Sequence, residues 1–173
     1  MKFPIAALII LFASPAPAQH QQHQQHGQSP YASQQQRSIK ALSEQQIADL
    51  RDGRGMSLAL PAELNGYPGP LHVLELADRL QLTLDQRQRV RHLYEAMKAE
   101  AILAGETLIE QERLLDQHFA DRKVTPASLT SLTAQIGQTQ AALRATHLKY
   151  HLTTADLLTP AQMRTYAEQR GYR

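Results

Sequence analysis

The feature that most constrains this chain is the stretch from Thr83 to Leu157, where apolar residues recur at spacings of three and four with a single interruption. Val90, Tyr94, Met97, Ala101, Ala104, Leu108, Leu115 and Phe119 form one row, with Gln111 its only polar member. Leu129, Leu132, Ile136, Thr139, Leu143, His147, Tyr150, Thr154 and Leu157 form the second. Such spacing returns side chains to one side of a helix and makes a coiled-coil-like seam. The interruption, Asp121 to Pro126, offers Thr125 as a cap and Pro126 as a first helical residue. Two long helices with so short a connection are antiparallel neighbours. At ~1.5 Å per residue each arm is roughly 45 to 55 Å long. Folding at the turn predicts Leu115 near Leu132, Leu108 near Thr139, Ala104 near Leu143, Met97 near Tyr150 and Val90 near Leu157.

Short copies of one signal bracket this stretch: Leu82-Thr83-Leu84-Asp85-Gln86 before and Leu158-Thr159-Pro160-Ala161-Gln162 after. In each, Thr accepts from a first-turn N–H while Gln reaches back to the Thr N–H, a capping box that starts a helix. Leu42-Ser43-Glu44-Gln45-Gln46 is a third copy, predicting a short helix to Arg51 ended by Gly53 and Gly55. Met56 to Leu64 is apolar enough for another, with Asn65-Gly66 as its C-cap, and Tyr67-Pro68-Gly69-Pro70 is a rigid turn. His72 to Leu80 places Val73, Leu76, Ala77 and Leu80 on one face, directed at the open end of the hairpin. The last helix runs to about Arg170 and is ended by Gly171. The class is all-α: a long antiparallel hairpin with short flanking helices.

The N-terminus reads as an export signal. Met1-Lys2, the apolar run Phe3 to Ala13 and Ser14-Pro15-Ala16-Pro17-Ala18 predict a signal peptide over residues 1–18, cleaved after Ala18. No Cys follows, which excludes a lipoprotein anchor, and no later run is long enough to span a bilayer, so the expected location is the periplasm. Removing Lys2 with the signal lowers the formal charge from +2 to +1, which gives no support to a nucleic-acid partner. Residues 19–37 form a Gln/His-rich leader expected to be disordered, 38–69 short helices with a Gly/Pro-rich linker, and 70–173 the main helical domain. After the signal, Phe119 is the only Phe and there is no Trp, so the core is thin and calls for a second copy to complete its burial.

No Gly-rich phosphate loop, Gly-x-Ser-x-Gly elbow or His-Glu-x-x-His pair is present, and Asp and Glu are scattered along helix surfaces, which argues against an enzyme. His20, His23 and His26 stand at steps of three in the leader, either a loose Cu, Zn or Ni-capturing tail or merely solvated. His147 and His151, at i and i+4, would face Glu95, Ala99 or Glu100 and hold Zn or Ni with them; the bland alternative makes His147 a seam residue and His151 a surface one. Arg87, Arg89 and Arg91, with Lys98, Leu93 and Met97, crowd the start of the first long helix. They make either a basic, partly apolar surface for a polypeptide or the solvated side of an amphipathic helix.

Two Leu-Thr-x-x-Gln motifs (Leu82, Thr83, Gln86 and Leu158, Thr159, Gln162) flanking a helical hairpin in an exported, Cys-free chain resemble the Spy/CpxP family of periplasmic proteins. The resemblance covers roughly Pro70 to Arg170; Ser38 to Gly69 is extra to its best-known chaperone members. It implies a cradle of helices, dimeric and without need of a cofactor, that acts as an ATP-independent chaperone for unfolded or misfolded envelope proteins. The family also includes envelope-stress regulators and relatives that bind zinc, nickel or cobalt. The alternatives for this chain are a heavy-metal (Zn, Ni or Cu) sensor or resistance accessory using His20, His23 and His26 or His147 and His151, and a protein that docks onto an inner-membrane sensor or regulator.

Overall fold

The computed structural model describes residues 29–172; the expected signal peptide and most of the expected leader, including His20, His23 and His26, lie outside them. Chain contacts divide the protein into Met1–Ser33 and Gln34–Arg173, and the second unit carries every α-helix among the described residues. These are α1 (Glu44–Arg51), α2 (Leu60–Glu63), α3 (Pro70–Glu75), α4 (Leu84–Ala120), α5 (Pro126–Ala155) and α6 (Pro160–Arg170). No strand occurs among the described residues.

The helix starts follow from their caps. Ser43, Thr83 and Thr159 each accept from the backbone N–H three residues on, and Gln46, Gln86 and Gln162 each return a side-chain bond to the cap N–H. Thr125 does the same with Ser128, and Pro126 opens α5. At the hairpin turn α4 closes on Asp121, and Arg122 takes the left-handed conformation (φ 55°) that lets the Lys123 N–H reach the His118 carbonyl at 2.9 Å. The C-terminal helix ends at Arg170 with Gly171 left-handed, as its sequence predicts.

α4 and α5 pack along each other as the seam requires. Val90 and Leu157 fall in one apolar cluster, while Ala101, Ala104, Leu108 and Leu115 of α4 meet Ile136 and Leu143 of α5 in the other. The buried stripe of α4 is wider than the seam, however. From Ala101 onward Gly105, Ile109 and Glu112 are buried as well, because α1 lies along that flank with Ile47 and Leu50 inward. Gly105 is what permits the approach: a Cβ there would stand 2.5 Å from the Leu50 carbonyl oxygen.

Two predicted helices are shorter than expected. The Met56–Leu64 segment is helical only over Leu60–Glu63, since Met56 and Ser57 adopt positive φ and Pro61 must lie in a first turn, where it needs no donor. Past Glu75 the predicted His72–Leu80 helix loosens into turns, ending at Gln81 with φ 51°. Its face survives: Val73, Ala77 and Leu80 are buried, and with Leu82, Val90 and Tyr166 they make the apolar floor at the hairpin's open end.

Candidate functional site

Two partly or fully buried polar centres lie at the open end of the hairpin. The two Leu-Thr-x-x-Gln motifs meet there through their glutamines. Gln86 Nε2 donates to Gln162 Oε1 at 2.9 Å, and Gln162 Nε2 donates to Gln86 Oε1 at 3.0 Å. Each amide also gives its second hydrogen to a carbonyl, Leu157 for Gln86 and Leu80 for Gln162, and each oxygen also accepts from its own cap N–H. Every donor in this closed pair is used, which fixes the orientation of both amides. Hence one residue type at one position caps a helix and ties α4 to α6.

A second polar centre, absent from the sequence reading, is Glu63 at the end of α2, only 7% exposed. Its Oε1 accepts from the Tyr166 hydroxyl at 2.5 Å and the Tyr172 hydroxyl at 3.1 Å, with Arg170 Nε at 3.6 Å. Its Oε2 accepts from the Gly69 N–H at 3.3 Å and lies 3.7 Å from His151 Nδ1. Burial, then the bond to Glu63, pushes the Tyr166 phenol far above its ordinary range, so it remains a neutral donor. A buried carboxylate is tolerated where several donors and a cation converge on it, as they do here.

The structure keeps His147 in the seam, as the bland alternative has it, and departs from that alternative at His151. His151 is buried rather than on the surface, and its Nδ1 donates to the Tyr67 carbonyl at 2.7 Å. Its ring packs on Gly69, where a Cβ would stand 2.8 Å from Nε2. His147 is 2% exposed, with Nε2 buried and without a hydrogen-bond partner. Burial, and secondarily His151, holds its imidazole below the usual histidine range. Glu100, expected to face these rings, instead accepts from Lys149 at 2.7 Å and Tyr150 at 2.8 Å. The carboxylate beside His151 is that of Glu63. Among the described residues no three His, Asp or Glu side chains are grouped to hold an ion.

The basic cluster is dispersed around the first turns of α4. Arg87 is held by Asp78 at 2.6 Å and Arg89 by Asp85 at 3.7 Å, while Arg91 is exposed. Lys98 is half-buried against Gly53. Met97, expected on a binding surface, is 7% exposed: it belongs to the seam and is out of reach of a partner. Two open grooves flank α4 here. One of about 280 Å³, towards α3, is lined by Leu74, Ala77, Arg87, Arg91, Tyr94 and Glu95. The other, about 450 Å³ and towards α5, is lined by Arg89, His92, Leu93, Thr153, Asp156 and Leu157. Each has an apolar floor and a rim of both charge signs. Beyond them, Leu84, Leu103, Phe119 and Leu152 project into solvent, each more than half exposed. No family model, curated protein or solved structure matches this chain.

Proposed function

We propose that this chain is a periplasmic, ATP-independent chaperone of the Spy/CpxP kind, a binding protein rather than an enzyme, that holds unfolded or misfolded envelope proteins on a helical surface. In this reading two copies pair into a cradle. The observation that carries the reading is the pair of shallow grooves along α4, each joining an apolar floor to arginine at its rim. Such a surface suits weak, exchangeable contact with segments that are themselves part apolar and part charged. The exposed Leu84, Leu103, Phe119 and Leu152 add apolar area that the hairpin leaves uncovered.

Light scattering of a chemically denatured client, diluted with and without the protein and with no nucleotide, tests this. Suppression at a few-fold excess is the expected result, and Arg91→Glu together with Leu93→Ala weakens it. Undiminished aggregation at that excess rejects the reading. Sedimentation of the same sample, expected at twice the chain mass, tests the cradle.

A further inference from the structure

The attachment of α6 differs in kind from that of α4 to α5. The long arms meet through rows of leucine, isoleucine and alanine. α6 buries a single side chain, Tyr166, and is otherwise fastened at two polar points: the Gln86–Gln162 amide pair at its start and the Glu63 carboxylate near its end. Such bonds are replaced by bonds to water when the element opens, those to the carboxylate at the greater cost, so an element with a single buried side chain opens locally before the fold does. Beneath Tyr166 lies the apolar floor of Val73, Ala77, Leu80, Leu82 and Val90. That floor is continuous with the groove between α3 and α4: Ala77 belongs to both, and Leu74, which lines the groove, packs against the floor.

We propose that α6 is a displaceable strap: Glu63 and the amide pair hold it over the apolar floor, and an extended apolar segment of a client polypeptide takes the place of Tyr166 when the strap swings away. The inference rests on the chaperone reading and assigns the occupant of the floor. Tyr166 is the natural placeholder, an aromatic ring on an apolar surface whose hydroxyl is turned to the Glu63 carboxylate. A client already seated in the groove reaches the floor by advancing past Leu74 and Ala77. The segment that competes best is apolar and flexible and carries a hydrogen-bond donor or a cation, because the departure of Tyr166 frees the Glu63 carboxylate beside the floor. The closed strap thereby keeps a sticky surface covered between clients.

Hydrogen exchange of the full chain, read by mass spectrometry, together with binding of reduced α-lactalbumin as the unfolded probe, tests the strap. Amides of residues 162–172 are expected to exchange at least ~tenfold faster than those of 101–108 and 143–150, and Glu63→Gln to accelerate them a further ~tenfold while the long arms stay within about twofold. Because more of the variant is open, it binds the probe roughly threefold or more tightly. Tyr172→Phe, which removes one bond at the outer edge, shifts both readouts the same way by less and guards against misfolding of the first variant. The strap is overturned if α6 amides are as slow as those of the seam, or if Glu63→Gln loosens all helices together. It is also overturned if α6 loosens while affinity for the probe stays level or falls. If α6 behaves as expected but neither protein holds the probe, the chaperone reading fails, and the assigned occupant is overturned with it.

Discussion

Two glycines inside the long helices give a matched test of how α1 packs. Replacing Gly by Ala in a helix interior is favourable by about 1 kcal/mol, since Ala loses less conformational freedom on folding. At Gly137 of α5 nothing lies within 4 Å of the added Cβ, so the full gain is expected, about 1 kcal/mol or roughly 3 °C in Tm for a domain of this size. At Gly105 of α4 the same methyl meets the Leu50 carbonyl oxygen at 2.5 Å, its carbon at 3.0 Å and the Leu50 Cβ at 3.2 Å. The nearest obstacle is backbone and has no rotamer to change, so α1 must move outward and loosen Ile47 and Leu50 against Ala101, Leu108 and Ile109. Overpacking of that kind costs about 1 to 3 kcal/mol, which cancels or exceeds the propensity gain. The difference between the variants is the informative quantity, because both share the propensity term: Gly105→Ala is expected to be less stable than Gly137→Ala by about 1 to 3 kcal/mol. Urea melts followed by helical circular dichroism measure it. Equal stabilisation by the two substitutions would mean that α1 does not cross α4 at Gly105, and the account of the wide buried stripe would be wrong.

The amide pair and the buried imidazole give two further tests. Gln86→Glu retains an oxygen to cap α4 but has no N–H to give to Leu157 or Gln162, so a loss of about 1 to 3 kcal/mol is expected, reduced to roughly half when Gln162 is already Ala, where only the Leu157 bond is left to lose. Equal losses in both backgrounds, measured by urea melts, would show that the two glutamines act independently. For His147 the folded protein binds its proton more weakly than the unfolded chain does, so its contribution is fully present above the ordinary histidine pKa of about 6.5 and is lost as pH falls below it. His147→Leu, which also removes the unpartnered Nε2, is expected to flatten the decline in stability between about pH 7.5 and pH 5. Parallel declines in the two proteins would rule out His147 as the group responsible.

Much of the architecture was legible from local chemistry alone. The Thr-x-x-Gln and Ser-x-x-Gln boxes, Pro126 and Pro160 just inside their helices, and Gly171 just past the last one act within a few residues, so their effect survives without knowledge of the rest. The three-and-four spacing of apolar residues likewise determined two long helices and the faces they join. Tertiary structure alone decided which contacts are made between residues distant in sequence. Nothing local distinguishes Glu63 from the many solvated carboxylates; its role comes from Tyr166 and Tyr172, more than a hundred positions away. The glutamines were readable as caps, but their pairing depends on α4 and α6 starting side by side. His151 was misplaced for the same reason: periodicity gives a side chain's direction about its own helix, whereas burial depends on which other segment arrives to cover it. Met97 is buried as its place in the periodic row requires, and it was its second assignment, to a binding surface, that failed.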